Sequence, residues 1–483
     1  MQLRNSKYRY GLLALAAVAA WPCWGQGTNL AQNPEVAGPL KVLDAWVEAA
    51  VASRQEPGLS IGVVYDQSLI WAKGYGFANL EKRIPATPST LYRIASISKV
   101  FTSTAILQLR DAGKLQLDDP VVKYLPWFKV KEPTPDSPPI KIWDLLTHTS
   151  GLARELPMYY WNDLKFPSRE ELMKLVPEEP AVLTPEAEYK YSNLGLAIAG
   201  EVVAAVSGEP YRKYVEDRIL RPLGMNSTLV EPMPGDPNMA IGYRRHAPGV
   251  AREPEDFIDA RALTPSAGLA STVEDLARFV ELQFRDGPAG GAQILKGSTL
   301  REMQRVQWLR PDWQSAQGLG FGIRHVGQQV RVGKDGVAPG YKSLMEWVPA
   351  EKYGVIVLIN GYDADTTYYV NQALSMLGPA IARATARPKP APAVADPAWQ
   401  KYTGTYEWKH VESQILIAGG ELILISPEAA NPWDSRVRLT PVGPNTFRMH
   451  GGGNDGELLK FELDANGRVT RFTAGSYFRV RAK

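Results

Sequence analysis

Apolar residues recur at helical spacing over residues 39–54 (PLKVLDAWVEAAVASR), which predicts an amphipathic helix. Two short β-branched and aromatic runs follow, Leu59–Tyr65 and Ser68–Tyr75, split by Asp66-Gln67. That pattern reads as strand, tight turn, strand. Residues 96–112 return to helical spacing and stop at Gly113, a favoured residue just past a helix end. A second helical pattern runs from Leu194 to Val206 and closes near Gly208. A third covers Thr272 to Arg285, opened by Ser271 with Glu274 three residues on, the pattern of a capping box. Residues 341–347 and 353–360 read as strands.

After residue 383 the pattern changes. Residues 384–397 (ATARPKPAPAVADP) are rich in Pro and Ala, and such chain is extended and poor at building a core. We read it as a linker. Beyond it, Gln414–Ile417, Glu421–Ile425, Arg436–Leu439, Leu458–Leu463, Val469–Thr473 and Tyr477–Val480 are short runs separated by turn residues. They predict a small antiparallel β domain over 398–483, a barrel or a sandwich. No period of solenoid length recurs, which excludes a repeat architecture.

The N-terminus carries a different signal. Arg4, Lys7 and Arg9 precede the apolar run Gly11–Trp21 (GLLALAAVAAW). A membrane span needs about 20 apolar residues, so this shorter run reads as the core of a signal peptide. We place that peptide at residues 1–25 and expect a periplasmic or secreted protein. Cys23 is the single cysteine, and Pro22 before it makes a poor lipid-acceptor site. A chain cleaved beyond Cys23 has no thiol for a disulfide, a nucleophile or a metal. The formal charge is +3, and without those three N-terminal cations the remainder is neutral. Charge therefore gives no case for nucleic acid or an anionic membrane, and no other segment reads as a membrane span.

Gly58-Leu59-Ser60-Ile61-Gly62 fits the G-x-S-x-G nucleophile elbow, but that motif works only where a strand turns into a helix. Here a helix precedes and a hairpin follows, so Ser60 is read as one face of a strand. Ser96-Ile97-Ser98-Lys99 is the stronger signal. Residues three apart on a helix share a face, with Cβ atoms about 5–6 Å apart. A serine in the first turn sits at the positive end of the helix, and a desolvated lysine one turn on can take its proton. Tyr191-Ser192-Asn193 supplies a phenol that neighbouring ammonium groups can turn into a base, and an amide that can hydrogen-bond a substrate amide or the lysine. In Lys334-Asp335-Gly336 the lysine suits a substrate carboxylate, and the glycine permits close backbone approach.

In that order, Ser96/Lys99, Tyr191/Asn193 and Lys334/Gly336 resemble the serine β-lactamase and penicillin-binding protein superfamily. The Tyr-x-Asn motif points to the class C branch, which also holds D-stereospecific peptidases and carboxylesterases. Leu145–Leu152 (LLTHTSGL), Gly268–Phe279 (GLASTVEDLARF), Gly318–Ile323 and Gly340–Ser343 look like the same family. The resemblance spans residues 39–380, and Tyr402–Tyr406 looks like the lipocalin-like module that follows some of these hydrolase domains. It implies an α/β (α+β) fold: an antiparallel sheet from both chain ends, a helical subdomain, and a small C-terminal β-barrel.

The resemblance also implies roles. Ser96 becomes the nucleophile and forms an acyl-enzyme. Lys99 and Tyr191 share the proton transfers, and Asn193 orients substrate. Backbone N–H groups of Ser96 and Val337 form the oxyanion hole. No metal or cofactor is implied, and the partner is a small-molecule or peptide substrate. The departure is Asp335, where β-lactamases of this branch carry Thr. It removes a hydroxyl that binds the β-lactam carboxylate. Strand neighbours point to opposite faces, so Asp335 need not enter the site, but if it leans in its charge repels that carboxylate, and the reading is weighted toward amide or ester hydrolysis. His148 is read as a brace in its loop, and His246, His325, His410 and His450 lack metal-ligand spacing. Gly74-Tyr75-Gly76 is read as a turn rather than part of a dinucleotide fingerprint. Met158–Trp161 either walls the cleft or packs as an insertion. A non-catalytic binding protein using the same cleft is the rival reading, though it gives no reason to keep both proton-transfer groups. Roles for the β domain in ligand binding, in shaping the cleft or in building a homo-oligomer stay open.

Overall fold

The computed structural model describes residues 30–131, 133–247, 249–287, 291–386 and 395–482. The expected signal peptide, with Cys23, and residues 387–394 of the expected linker lie outside them. The chain forms two compact units, divided between Thr385 and Ala386.

The strands of the first unit are β1 (Gly58–Tyr65), β2 (Ser68–Asn79), β3 (Ile84–Pro85), β4 (Tyr92–Arg93), β5 (Ala270–Ser271), β6 (Trp308–Leu309), β7 (Ser315–Gln317), β8 (Gly322–Val326), β9 (Gln329–Ala338), β10 (Tyr341–Val348) and β11 (Tyr353–Ile359). Nine of them build one antiparallel sheet in the order β3-β2-β1-β11-β10-β9-β8-β7-β6. The early hairpin thus meets the late strands at β1–β11, where Ser60 faces Leu358 in register. Every residue of β11 and all but the last of β1 are buried, because helices cover both faces of the sheet.

One face is covered by α1 (Pro34–Ser53) and a helix from the end of the unit, where Leu40, Leu43 and Val47 pack with Ile61, Val63, Val357 and Leu377. The helix α1 begins five residues before its predicted start. Asn33 caps it by accepting from the Glu35 N–H, Pro34 takes a first-turn position, and Pro39 is carried inside it. The other face is covered by α4 (Val273–Gln283); α2 (Ser98–Asp111) packs on α4 through Phe101 and Phe279, and α3 (Asn193–Ser207) packs on α2, while Thr366–Thr385 forms α5, the late helix on the first face. Helices α2 and α3 end as predicted at left-handed glycines, Gly113 and Gly208, with φ of 72° and 74°. The cap of α4 is Thr272, whose hydroxyl accepts from the Asp275 N–H, rather than Ser271. Ser271 lies in β5, and its hydroxyl bonds that of Thr228 at 2.8 Å.

The second unit is a closed barrel of eight antiparallel strands: β12 (Gly404–Trp408), β13 (Val411–Ala418), β14 (Glu421–Ile425), β15 (Val437–Gly443), β16 (Thr446–His450), β17 (Leu458–Leu463), β18 (Val469–Ala474) and β19 (Tyr477–Arg481). Closure is made by β12 against β19, with Glu407 facing Val480. Inside, Tyr402, Tyr406, Phe447, Phe461 and Phe472 form an aromatic core, and the Tyr406 hydroxyl donates to the Tyr402 carbonyl at 2.7 Å. Strands β12 and β16 were missing from the sequence reading. A barrel without them has open edges. The fold class read from the sequence, an α+β unit with an antiparallel sheet followed by a small β-barrel, is the one observed.

Candidate active site

From Leu91 to Leu107 every residue is buried except Ser96. The exposure comes from a turn. Strand β4 leads into Ala95, which has a φ of 46°, a left-handed conformation that costs a side-chain-bearing residue free energy. A 3-10 turn over Ala95–Ile97 then feeds α2, so Ser96 sits just ahead of the helix rather than in its first turn. The surroundings hold the turn in place. The Ile94 N–H donates to Leu269 O at 3.1 Å, and Ser343 Oγ donates to Ile94 O at 2.9 Å. A Cβ on Gly336 would lie 2.1 Å from Ile94 O, so only glycine lets β9 approach the turn this closely.

Tyr191 and Asn193 arrive on a loop stitched to residues 148–155. The Lys190 N–H donates to His148 O, and those of Asn193 and Leu194 donate to Arg154 O. Ser192 caps α3, its Oγ accepting from the Gly195 N–H and donating to Ala153 O at 2.7 Å. His148 Nδ1 accepts from the Ser192 N–H, and its ring lies 4.4 Å from that of Tyr191. His148 is buried, and burial together with the cations of Lys334 and Lys99 holds its imidazole well below the usual range. It stands as a neutral brace under Tyr191.

The constellation converges on Ser96 Oγ. Lys99 Nζ donates to it at 3.0 Å and the Tyr191 hydroxyl at 2.8 Å. Lys99 also donates to Asn193 Oδ1 at 2.7 Å and to the Ser266 carbonyl at 2.8 Å. Neither of those two oxygens has a proton to give in return. A neutral Lys99 amine therefore points its lone pair at Ser96, and a charged one donates there. Asn193 is held in this orientation by Glu155, whose Oε1 accepts from Asn193 Nδ2 while Oε2 accepts from the Tyr160 hydroxyl at 2.6 Å.

Electrostatics favour proton transfer here. Burial pushes the Lys99 ammonium below its ordinary range, and Tyr191 offsets part of this. For Tyr191 burial works upward, but Lys334, Lys99 and hydrogen bonding with Lys99 and Ser96 outweigh it, bringing the phenol down to about 8. The ammonium of Lys334 lies 5.1 Å from the Tyr191 ring centre. Burial acts against its charge, but Tyr191 and Asp335 raise it above its usual value. A phenol at about 8 beside two ammonium groups is a base matched to near-neutral solution.

The sequence-predicted residues meet in one place. Ser96, Tyr191, Asn193, Lys334 and Val337 line a cavity of about 760 Å³; Lys99 sits behind Ser96, and Gly336 packs against the turn that carries it. Asp335 lines the cavity too. Its carboxylate lies 3.6 Å from Lys334 Nζ, so the acid does lean toward the lysine rather than away from it. Trp161 lines the cavity, while Tyr160 is buried and Tyr159 is exposed. Ser60 lies elsewhere, fully buried, with its Oγ donating to Thr87 O at 2.7 Å and bonded to the Tyr92 hydroxyl at 2.9 Å. Among the described residues no group of three or more His, Cys, Asp or Glu is placed to hold a metal ion. Sequence reasoning missed Glu155, the Ser266 carbonyl, Tyr189, Arg154 and Arg310. Glu155 follows the Leu145–Leu152 motif by three residues, but only the folded chain shows what it holds.

Comparison with known proteins agrees with this geometry. The Beta-lactamase family model matches residues 43–374. Protein flp of Staphylococcus aureus (strain MW2) is 27% identical over 321 residues, 66% of this chain and 62% of that protein. The chain thus spans about three fifths of that curated relative's length. Among solved structures, the octameric penicillin-binding protein homologue from Pyrococcus abyssi matches with a TM-score of 0.61 and 25% identity, over 92% of this chain and 100% of that one. EstCE1, a hydrolase with promiscuous acyltransferase activity, shares the fold with a TM-score of 0.60 and 21% identity, over 71% of this chain and 98% of its own.

Proposed function

Because the chain belongs to the beta-lactamase family, we propose that it is an exported serine hydrolase that cleaves an amide or ester through an acyl-enzyme. The observation that carries this reading is Ser96 Oγ between two proton-transfer groups, 3.0 Å from Lys99 Nζ and 2.8 Å from the Tyr191 hydroxyl. Tyr191, as phenolate, takes the Ser96 proton while Oγ attacks the substrate carbonyl. The N–H groups of Ser96 and Val337 stabilise the oxyanion. As the tetrahedral intermediate collapses, the proton passes to the departing amine or alcohol. Water, activated at the same phenol, then releases the acyl group and restores Ser96.

The substrate is a D-amino-acid peptide, a peptidoglycan peptide, a carboxylester or a β-lactam. Asp335 beside Lys334 favours peptidase or esterase chemistry over efficient β-lactam hydrolysis, because its charge opposes a carboxylate docking on that lysine. The octameric state named for the Pyrococcus abyssi homologue supports self-association as a further part of the proposal. No helix among the described residues is long and apolar enough to cross a membrane.

The test is intact-protein mass after incubation with a fluorophosphonate and, separately, a β-lactam, comparing wild type with Ser96→Ala. A mass gain that disappears in the variant assigns the nucleophile, and the reagent that labels separates esterase or peptidase chemistry from penicillin recognition. A folded wild type that gains mass with neither reagent overturns the mechanism in favour of a binding protein.

A further inference from the structure

The cations around the cavity are unequally matched. Lys334 faces Asp335 at 3.6 Å, Arg154 faces Glu155 at 3.5 Å, and Arg324 is paired with Glu346. Arg310 lines the same cavity, and among the described residues its side chain has no ion pair and no hydrogen bond. Its Nε is buried without a partner. The acid nearest in sequence, Asp312, is committed to its own turn, accepting from the Ser315 hydroxyl at 2.7 Å and from the Gln314 and Ser315 N–H groups.

Arg310 is nonetheless held in place. Its guanidinium lies 3.9 Å from the centre of the Tyr189 ring, and the Arg310 backbone N–H donates to Ser315 O at 3.0 Å across the β6–β7 hairpin. Tyr189 in turn packs edge-on against the buried His148 that supports Tyr191. Stacking occupies the face of a guanidinium and leaves its in-plane N–H groups free to bind. A pre-positioned planar donor of this kind fits a carboxylate, with two parallel N–H···O bonds. Among the described residues that line the cavity one cation is unmatched, and Asp335 and Glu155 line the same cavity, so a singly charged anion fits better than a phosphate dianion.

We propose that Arg310 and Tyr189 form an anion subsite, and that the substrate is an ester or amide carrying a carboxylate that docks on Arg310 rather than on Lys334. The proposal rests on the serine-hydrolase reading and makes its substrate class specific. It gives Asp335 a consequence: the third-motif lysine serves to polarise Tyr191, and recognition of the anion moves to the hairpin.

The experiment compares kcat/KM for two esters of equal length, 4-nitrophenyl butyrate and 4-nitrophenyl hemisuccinate, in wild type, Arg310→Ala and Arg310→Lys. A charge-assisted pair should make the hemisuccinate-to-butyrate ratio fall about 10- to 100-fold in Arg310→Ala. Arg310→Lys should recover only part of the ratio, since a point charge lacks the planar fork. A ratio unchanged in Arg310→Ala, or a wild type that does not turn over the hemisuccinate while hydrolysing the butyrate, overturns the subsite. If neither ester is hydrolysed, the labelling of Ser96 described above judges the hydrolase reading separately. Calorimetry with monomethyl succinate on Ser96→Ala then decides the subsite. Binding lost in Ser96→Ala/Arg310→Ala supports it, while equal binding or none overturns it.

Discussion

Ser60 and Ser96 each sit in a short motif associated with a nucleophilic serine, and their surroundings are opposite. Ser60 is an interior rung of the sheet, fully buried, with its hydroxyl shared between Thr87 O and the Tyr92 hydroxyl. No titratable base with a depressed pKa touches it, because burial pushes the Tyr92 phenol well above its usual value. Ser96 stands on a positive-φ turn, partly exposed amid buried neighbours, with a depressed phenol and a depressed ammonium on its oxygen. Tyrosine is a partner in both cases. What differs is the charge around it: two ammonium groups act on Tyr191, and none on Tyr92. Nucleophile activation is therefore a property of the neighbourhood and not of the four or five letters of the motif.

Exchanging the two serines for alanine breaks the comparison most directly. Ser96→Ala should remove labelling by a fluorophosphonate and lower kcat/KM by about a thousandfold or more, as loss of a nucleophile does. Labelling that persists in Ser96→Ala and disappears in Ser60→Ala would reverse the assignment. Tyr191→Phe tests the base. It keeps the ring on His148 and deletes the hydroxyl 2.8 Å from Ser96, and should cost about 10²- to 10⁴-fold in kcat. A loss below fivefold, measured at saturating substrate, would hand the role to Lys99.

The charge argument makes a signed pH prediction. With Tyr191 acting as phenolate, kcat/KM should rise tenfold per pH unit at low pH and level off above about 8. Lys334→Met removes a cation that lowers this phenol, so the inflection should move to higher pH, toward the ordinary tyrosine value of about 10. A pH–rate profile of the two proteins checks it, and an inflection that stays in place would mean another group controls the limb. Glu155→Gln probes the orientation of Asn193. A glutamine turns one of the two acceptor oxygens into an NH2 donor, so Asn193 and Tyr160, which now donate to different oxygens, can no longer both keep their bonds. Losing one such bond should lower kcat/KM about tenfold. KM for a substrate bearing no amide should change less than kcat, and the reverse pattern would make Glu155 a substrate contact instead.

Much of this site was legible because its parts are local. The three-residue step from Ser96 to Lys99 and the Tyr191-x-Asn193 pair ahead of a helix are short-range patterns, and α2 and α3 end at the glycines that read as stops. The illegible parts are closures between distant segments. Nothing near Ser96 in sequence reveals that Ser266 O will accept from Lys99, or that Ser343 will hold Ile94. Ala95 gives no warning of its positive φ, since tertiary bonds rather than residue type impose it. The one-residue shift of the α4 cap from Ser271 to Thr272 has the same origin, because β5 pairs with β4 and claims Ser271. Strands β12 and β16 were missed for want of local contrast: their sequences, GTYEW and TFRMH, contain no Val, Ile or Leu.

Ser60→Ala carries the smallest expected effect and is the sharpest control. The substitution deletes a donor to Thr87 O and leaves the Tyr92 hydroxyl without its partner in a buried site. Breaking such a buried pair costs about 1–3 kcal/mol. The loss should appear as a lower midpoint in urea unfolding, with turnover per folded molecule unchanged. Tyr92 also belongs to β4, the strand that delivers the Ser96 turn, so the variant asks whether that turn is fixed by β4 or by its own clamps. The bonds from Ile94 to Leu269 and from Ser343 to Ile94 hold the chain between Tyr92 and Ser96, and neither involves Ser60. They should keep Ser96 in register. A fall in kcat that tracks the fall in stability would instead place Ser60 in the scaffold of the nucleophile, and the two serines would then be coupled parts of one site.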